Sequence, residues 1–388
     1  MNLALNLVVT FVFVSVQWRI AVILLRAAGR LLSGWARTAA RGAVFLFDAL
    51  LLAGYSFTFS ELVPRLGIPG HIALIMGAGI LAYLITATAA LAVYLAFKAI
   101  GKQLGAAVNP GRRRALNAAG NVLMAAPFVV MGYGAVVERL DFRVRELDVP
   151  LPGLPLDLDG LRILQLSDIH LSAFLHESEL AKAIDMALEL RPHLTVVTGD
   201  LISSRGDPLD ACIRQLARVK SDAGTFACMG NHERYARAER YAAEAGARAG
   251  IRFLRGQAQT LRFGNSVLNL AGVDYQSLAD RGHYLRGAER LVVPGALNVL
   301  LSHNPDVFPV AAQQGYNLLL AGHTHGGQVT IEILDQSINP ARFFTPYVYG
   351  LFRAGRSAAY VTRGIGTIGI PARIGAPPEI SVLRLRKA

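Results

Sequence analysis

The chain has 388 residues, 53% of them hydrophobic, and a net charge of +12. This length allows more than one domain, and so apolar a composition is not typical of a soluble enzyme. Residues 1–136 carry eleven Lys and Arg against two acidic residues, whereas residues 137–388 carry 28 against 25. Basic loops between apolar segments are typical of membrane proteins, so the charge does not indicate a nucleic-acid partner.

Four apolar stretches precede residue 138 and predict a transmembrane domain of about four helices. A helix needs about 20 apolar residues to cross a bilayer, and about 17 at the least. The stretches are residues 1–18, 43–59, 72–100 and 115–137, of which the third is the clearest and the fourth the weakest. The first could continue past Arg19. It has no Lys or Arg before it, which argues against a cleaved signal peptide. Residues 60–70, with two prolines, are predicted to be a short loop.

One acidic residue, Asp48, lies inside the second apolar stretch. Because a charge is costly in lipid, this side chain is predicted to face other helices. We interpret it as a packing or interfacial position rather than part of a transport path, because no neighbouring stretch supplies a partner cation.

The basic residues also predict how the chain crosses the membrane. The first and third loops hold five Lys and Arg each and the second holds one, which places the first and third loops in the cytoplasm. Four spans in an inner membrane then put the large C-terminal domain outside the cytoplasm. Three arginines, Arg139, Arg143 and Arg145, follow the fourth stretch and favour an alternative. Residues 115–137 would then lie on the membrane without crossing it, and the large domain would be cytoplasmic.

The composition changes after residue 137. Residues 138–156 alternate charged and apolar side chains and contain three prolines, so we predict a linker there. It would join a transmembrane domain, residues 1–137, to a second domain, residues 157–388. The two cysteines, Cys212 and Cys228, are interpreted as buried thiols rather than a disulfide, and the sequence has no Cys-x-x-Cys pair.

From residue 161 onward, predicted strands alternate with helical stretches. The helices are expected at residues 178–190, with Ser178 as N-cap, 208–219 and 234–250. After residue 251, strands follow without long helices at 259–263, 267–272, 297–302, 317–321, 328–334, 358–362 and 380–385. This order predicts an α/β sandwich, in which two sheets are flanked by helices in an α-β-β-α arrangement.

Five predicted strands end in residues that can bind a metal. The carboxyl ends of strands are where open α/β sheets place their sites. Asp, Asn and His without Cys suit Mn²⁺, Fe or Zn²⁺. The candidates are more than one ion needs, which predicts two divalent metal ions that share one carboxylate. The seven candidate ligands are Asp168, His170, Asp200, Asn231, His303, His323 and His325.

Two of these positions carry a further interpretation. His232 adjoins the candidate ligand Asn231 but is not needed to bind either metal. It is therefore predicted to act as general acid toward a leaving oxygen. His303 could instead stand at the entry of a helix, with Asn304 as its cap.

The order Asp-x-His, Gly-Asp, Gly-Asn-His-Glu, His, Gly-His-Thr-His resembles the calcineurin-like metallophosphoesterases over about residues 155–388. The run Tyr360-Val-Thr-Arg-Gly-Ile-Gly366 is similar to the bacterial membrane-associated branch, which includes enzymes that cleave UDP-diacylglucosamine. The resemblance implies Asp200 as the bridging ligand and catalytic, and His232 as the proton donor. It implies two ligand sets: Asp168, His170 and His325 on one metal, and Asn231, His303 and His323 on the other.

One position departs from the family pattern. Many relatives read Gly-Asp-x-x-Asp, and the second Asp orients the catalytic His. Here that position is Ser203. Either Ser203 orients His232 through a weaker hydrogen bond, or another group takes that role.

Together these features predict a membrane-anchored phosphohydrolase, more specifically a phosphodiesterase. It would activate water for in-line attack on a lipid-linked or envelope-associated phosphate ester, with manganese among the candidate metals. Monoester and diester substrates both stay open. Two alternatives are a cytoplasm-facing pyrophosphate hydrolase of the UDP-diacylglucosamine type and a non-catalytic membrane sensor or scaffold.

Overall fold

The computed structural model describes residues 3–58, 70–103, 109–333 and 336–388. The chain divides into two compact units, Met1–Tyr133 and Gly134–Ala388. Of the loop predicted at residues 60–70, all but Gly70 lies outside the described residues.

The first unit consists of long apolar helices: α1 Leu3–Leu31, α2 Gly34–Thr58, α3 Gly70–Gln103 and most of α4 Pro110–Val136. Four stretches are long and apolar enough to cross a membrane, by length and composition: Thr10–Leu31, Gly34–Tyr55, Ile75–Gly101 and Ala118–Leu140. This confirms the predicted number of membrane-capable helices.

The bounds of the first two helices differ from the prediction. Helix α1 continues through Arg19 and Arg26, and α2 begins at Gly34 rather than at residue 43. Arginine is a good helix former, and its long apolar stem can lie along an apolar surface while its charge reaches water. A single arginine therefore did not mark a helix end.

Asp48 faces neighbouring helices within the first unit, as predicted. The Gln17 side-chain amide donates a hydrogen bond to the Asp48 carboxylate. The Tyr83 hydroxyl donates to the Gln17 side-chain oxygen over 2.7 Å. One polar side chain from each of α1, α2 and α3 thus takes part in a single hydrogen-bonded chain.

The second unit is built on two six-stranded sheets, which confirms the predicted two-sheet α/β sandwich. The first sheet has the order β1-β14-β2-β3-β4-β5 and the second β12-β13-β9-β8-β7-β6. In chain order, the strands of these sheets and of a separate β10–β11 hairpin are β1 Arg143–Leu151, β2 Arg162–Leu166, β3 Leu194–Val197, β4 Thr225–Ala227, β5 Ile251–Phe253, β6 Gln257–Phe263, β7 Ser266–Gly272, β8 Leu297–Leu301, β9 Leu318–Ala321, β10 Ile331–Ile333, β11 Gln336–Ile338, β12 Gly350–Ala354, β13 Ser357–Val361 and β14 Glu379–Lys387.

Helices cover the outer faces of the two sheets, and a shared apolar core lies between them. Ile163 packs in this shared core, whereas its neighbour Leu164 packs on the outer face against the helices. Because both faces are buried, the strands read as continuous apolar runs rather than alternating ones. The helices are α5 Glu177–Leu188, α6 Leu209–Leu216, α7 Asn231–Ala236, α8 Glu239–Arg248 and α9 Phe308–Gln314.

Parallel pairing brings the ends of the central strands together. Strands β2, β3, β4 and β5 run parallel in the first sheet, and β7, β8, β9 and β13 run parallel in the second. In each sheet the carboxyl ends therefore lie on one edge, where the loops that follow can meet.

The linker predicted at residues 138–156 needs a correction. Nine of its residues form β1, which pairs in parallel with β14 from Arg143 opposite Glu379 to Leu151 opposite Lys387. Its alternating charged and apolar residues are the period-two pattern of an edge strand with one exposed face. The stretch is therefore part of the sheet.

Two helix predictions also change. The helix predicted at 234–250 is two helices, α7 and α8, because Arg237 takes a left-handed conformation with a φ of 55°. The N-cap of α5 is His176, not Ser178. The backbone N–H of His176 donates to the Glu179 carboxylate at 2.9 Å, so the helix begins earlier than the apolar spacing indicated.

Candidate metal centre

All seven candidate ligands follow buried strands at the carboxyl edge of the two sheets, in loops or at the start of a helical turn. The structure brings six of them, all but Asn231, together with His232 into overlapping groups whose ligand atoms lie within 4.8 Å of one another. His170 and Asp200 each belong to two of these groups, so the three groups form one continuous cluster. The groups are Asp168, His170 and His325; His170, Asp200 and His232; and Asp200, His303 and His323.

The distances show how close the groups are. Asp200 Oδ2 lies 3.0 Å from His303 Nε2 and 3.5 Å from His170 Nε2. On the other side, Asp168 Oδ1 lies 3.4 Å from His325 Nε2. One carboxylate therefore faces a histidine from each ligand set, as a bridging ligand would.

Unsatisfied polar atoms in the cluster fit a cation. Asn231 is buried, and among the residues that the structure describes no hydrogen-bond partner reaches its Oδ1. His170 Nε2 and His325 Nε2 also face each other at 3.1 Å. An amide oxygen buried without a partner is unfavourable, and two imidazole nitrogens pointing at one place are typical metal donors. The side chains present fit divalent metal ions.

The backbone at these ligands is held in an uncommon conformation. Only nine described residues other than glycine have a positive φ, and five of them are candidate ligands. Left-handed backbone is unfavourable for residues with a Cβ, and such residues cluster at functional sites. The five are Asp168, His170, Asp200, His323 and His325, with φ between 49° and 76°.

Backbone hydrogen bonds and a glycine hold these loops against one another. The backbone N–H groups of Asp168 and His170 donate to the carbonyls of Gly199 and Asp200, each at 3.0 Å. A Cβ at Gly230 would overlap Asp200 Oδ1. The glycine before Asn231 is therefore required by close approach to the shared carboxylate.

Electrostatics keep three of the candidate histidines neutral and Asp200 charged. Burial holds the pKa of His170 and His325 well below the usual value and lowers that of His323 to about 4. These imidazoles are neutral at pH 7, the form that binds metal. Burial opposes the charge of Asp200, but His303 and His170 outweigh it and lower its pKa overall.

His303 differs from the other histidines. Burial alone would lower its pKa, but the carboxylates of Asp200 and Asp168 outweigh burial and raise it to about 10. A cation binding here would displace that proton. Asn304 also caps a turn, accepting from the backbone N–H of Asp306 at 2.9 Å. The predicted cap at Asn304 is therefore confirmed, and the role of His303 as a metal ligand stays a prediction.

Comparisons with known proteins agree with this site. The model of a family described as "Calcineurin-like phosphoesterase" matches residues 161–327. "Uncharacterized metallophosphoesterase YkuE" of Bacillus subtilis (strain 168) is 30% identical over 261 residues, which cover 66% of this chain and 89% of that protein. The chain belongs to the calcineurin-like phosphoesterase family.

Two further relatives are similar to this chain at 31% and 33% identity. "Phosphodiesterase YaeI" of Escherichia coli (strain K12) is 31% identical over 231 residues, covering 58% of this chain and 82% of that protein. "Transmembrane protein with metallophosphoesterase domain" of Danio rerio is 33% identical over 273 residues, covering 67% and 61%. The chain thus spans about three fifths of the length of the Danio rerio relative.

Two contacts show the role of Ser203, the position that departs from the family pattern. The Ser203 hydroxyl lies 3.2 Å from His170 Nδ1, so the side chain contacts a candidate ligand. The Ser203 backbone carbonyl lies 2.6 Å from His232 Nδ1. A backbone group thus fixes the His232 ring. The carboxylate of Asp207 in turn holds this loop by accepting from the N–H groups of Ser203 and Ser204 at 3.0 and 2.7 Å.

Ser203→Ala is expected to weaken metal binding about 10- to 100-fold, the usual effect of removing a group that orients a ligand. At saturating metal, turnover should stay within a few-fold of wild type, because the carbonyl that holds His232 is retained. A metal titration of activity separates the two effects. A large loss at saturating metal would show that the hydroxyl itself acts on His232.

Glu233 holds the backbone around the candidate ligands in place through hydrogen bonds. Its carboxylate accepts from three backbone N–H groups, those of Gly230, Asp200 and Leu201, at 2.7 to 2.9 Å. Burial, reinforced by Asp200, raises its pKa to about 7. From the sequence, this position had no predicted role beyond its place in the Gly-Asn-His-Glu motif. The Gly-x-x-Glu spacing of a capping box was the signal for its role.

Arg373, fully buried, was missed altogether by sequence reasoning. Its guanidinium donates to backbone carbonyls, including that of Gly366 at 2.6 and 3.0 Å and that of Ala376 at 2.9 Å. It also donates to the carbonyl of His325 at 3.4 Å. Burial lowers its pKa to about 10, so it stays charged at pH 7. The side chain ties the His325 loop to residues 363–376.

Arg373→Met is expected to lower the free energy of unfolding by at least about 3 kcal/mol, because several buried carbonyls lose their donor. Arg356→Met, at an exposed turn, serves as the control and should leave stability within about 0.5 kcal/mol of wild type. Thermal unfolding of the full chain in detergent measures both. Similar melting temperatures for the two variants would contradict this role.

Proposed function

We propose that the chain is a membrane-anchored, metal-dependent hydrolase of phosphate esters, and specifically a phosphodiesterase. The observation that carries this proposal is the overlap of two Asp and His groups on the shared carboxylate of Asp200. The name of the Escherichia coli relative, a phosphodiesterase, favours diesters over monoesters.

Seven residues would hold two divalent ions. Asp168, His170 and His325 would bind one, and Asn231, His303 and His323 the other, with Asp200 between them. The nitrogen and oxygen donors suit Mn²⁺, Fe or Zn²⁺. When bound, such a pair activates water and neutralises charge on a phosphoryl group attacked in line.

His232 would act as general acid toward the leaving oxygen. Its Nδ1–H donates to the Ser203 carbonyl, which leaves Nε2 as the nitrogen that exchanges a proton with substrate. Its backbone N–H donates to Asp200 Oδ1 at 2.9 Å, so the residue is fixed to the shared ligand. Its ring also packs edge-on against His170, with centroids 4.6 Å apart. A fixed proton donor beside the ligands is what protonation of a leaving group requires.

The substrate we propose is lipid-linked or envelope-associated, and the domain extracytoplasmic. Four membrane-capable helices support a substrate at the bilayer, and the basic first and third loops support the sidedness. A reporter fused after Ala388 tests the side. A cytoplasmic signal would favour nucleotide-linked lipid intermediates instead.

Turnover of bis(p-nitrophenyl) phosphate and p-nitrophenyl phosphate by the purified full chain tests the proposed reaction. With Mn²⁺ added, we expect hydrolysis of both and faster turnover of the diester. Metal bound at the site without hydrolysis of either ester would contradict the proposal and favour a non-catalytic scaffold.

A further inference from the structure

Two neighbouring phenylalanines stand out on the second unit. Phe343 is 90% exposed and Phe344 84% exposed, more than any other large apolar side chain among the described residues of Gly134–Ala388. They follow exposed Arg342 in a 3₁₀ turn, Pro340–Phe343. Contiguous exposed apolar side chains mark surfaces that contact a membrane, another protein or a ligand.

The turn that carries these phenylalanines is fixed to the metal-site loops. The buried side chain of Asn339 accepts from the backbone N–H of Ala341 at 2.9 Å and donates to the carbonyl of Gly326 at 2.7 Å. Just after the phenylalanines, Thr345 donates to Asp306. Gly326 adjoins His325, and Asp306 lies three residues after His303. The phenylalanines are therefore held in place at the edge that carries the candidate ligands.

The last residues of the membrane-capable stretch Ala118–Leu140 lie at the same edge. Its final residues, from Gly134 on, belong to the second unit. The backbone N–H of Arg373 donates to the carbonyl of Gly134 at 3.1 Å, and Arg139 donates to the carbonyl of Phe174 at 2.5 Å. Arg373 also contacts His325, and Phe174 lies four residues after His170. The stretch therefore ends among the loops that hold the ligands.

A continuous set of contacts connects the two features. Ile374, beside Arg373, forms backbone hydrogen bonds with Gln328 and Thr330 at 2.9 and 2.7 Å. Thr330 accepts from the Asn339 side chain at 2.8 Å, and Asn339 begins the turn of Phe343. Val136 and Val137, at the end of the apolar stretch, are 71% and 49% exposed. The exposed valines and phenylalanines thus lie on one edge of the unit.

We propose that this edge rests on the membrane, with Phe343 and Phe344 inserted at the level of the lipid headgroups and Arg342 against lipid phosphate. Segments that lie in the interface place Phe toward the acyl chains and Lys or Arg toward the headgroups, and anionic headgroups attract the basic side chains. The occupant is lipid rather than a partner protein because a membrane-capable stretch ends on this same edge. Resting on the proposed function, the substrate would be a phosphodiester in the headgroup of a bilayer lipid.

Depth measurements on the full chain in vesicles of phosphatidylethanolamine and phosphatidylglycerol test the contact. The fluorophore is attached to Phe344→Cys and, as the matched control, to Leu156→Cys. Leu156 is 75% exposed and precedes β2, away from the carboxyl edge. The native Cys212 and Cys228 are fully buried and are expected to stay unlabelled.

Spin-labelled lipid is expected to quench the probe at 344 at least threefold more than the probe at 156, and aqueous iodide the reverse. Equal quenching of both positions by iodide would overturn the proposal. A probe at 344 shielded from both quenchers would also overturn it, because a protein would then cover the site.

Activity on a soluble and on a lipid substrate tests the lipid contact separately from the proposed function. The double variant Phe343→Ser, Phe344→Ser is expected to keep wild-type turnover of bis(p-nitrophenyl) phosphate and to lose at least about tenfold on a phosphodiester lipid in vesicles. Equal loss on both substrates, or on neither, would contradict the lipid contact. A wild-type chain inert on the soluble diester would contradict the proposed function, whatever the depth of Phe344.

Discussion

Asp200→Asn is expected to reduce turnover of a phosphodiester by at least about 10³-fold, equivalent to about 4 kcal/mol of the activation barrier. Asp200 Oδ2 lies within 3.5 Å of both His170 and His303, and its other oxygen accepts from His232. An amide of the same shape removes the negative charge that the two proposed ligand sets would share. Turnover measured at several metal concentrations gives the size of the loss.

The control for Asp200→Asn is Asp222→Asn, at an exposed position before β4. It removes the same charge from the protein without touching the cluster, and it should retain wild-type turnover. Circular dichroism of both variants checks that the fold is kept. If Asp200→Asn were about as active as the control, Asp200 would have no role in the reaction.

His232→Gln is expected to slow the reaction by an amount that depends on the leaving group. An alkyl alcohol leaves only with a proton, so the loss should reach about 10²- to 10⁴-fold. Nitrophenolate leaves without one, and its loss should be far smaller. Paired measurements on an alkyl and a nitrophenyl diester of the same acid give the ratio directly.

A role of His232 in positioning alone would slow both diesters equally, and that outcome contradicts general-acid catalysis. The matched control is His283→Gln, an exposed histidine in a 3₁₀ turn. It should leave turnover of both substrates unchanged.

The strands and the position of the candidate ligands at their ends could be predicted because both leave local patterns. A strand buried on both faces is an unbroken apolar run, and a polar residue directly after it marks the carboxyl end. Asp168, Asp200 and His323 each follow such a run. Parallel strands then bring residues that are distant in sequence to one edge.

Other features of the fold and the candidate site could not be predicted from the types of the residues. The group that fixes His232 is the carbonyl of Ser203, and every residue has a carbonyl. Arg373 acts through contacts with loops on either side of it, with no local periodicity to mark it. The edge strand Arg143–Leu151 looked like a linker because its exposed face is charged. The break at Arg237 was hidden because its left-handed backbone does not use glycine.

The most direct test measures bound metal and turnover on the same sample of purified full chain. We expect two equivalents of divalent metal per chain, loss of hydrolysis when a chelator removes them, and recovery when Mn²⁺ is restored. A chain that holds two equivalents and hydrolyses no phosphate ester, or one that stays fully active after both are removed, would contradict metal-dependent hydrolysis.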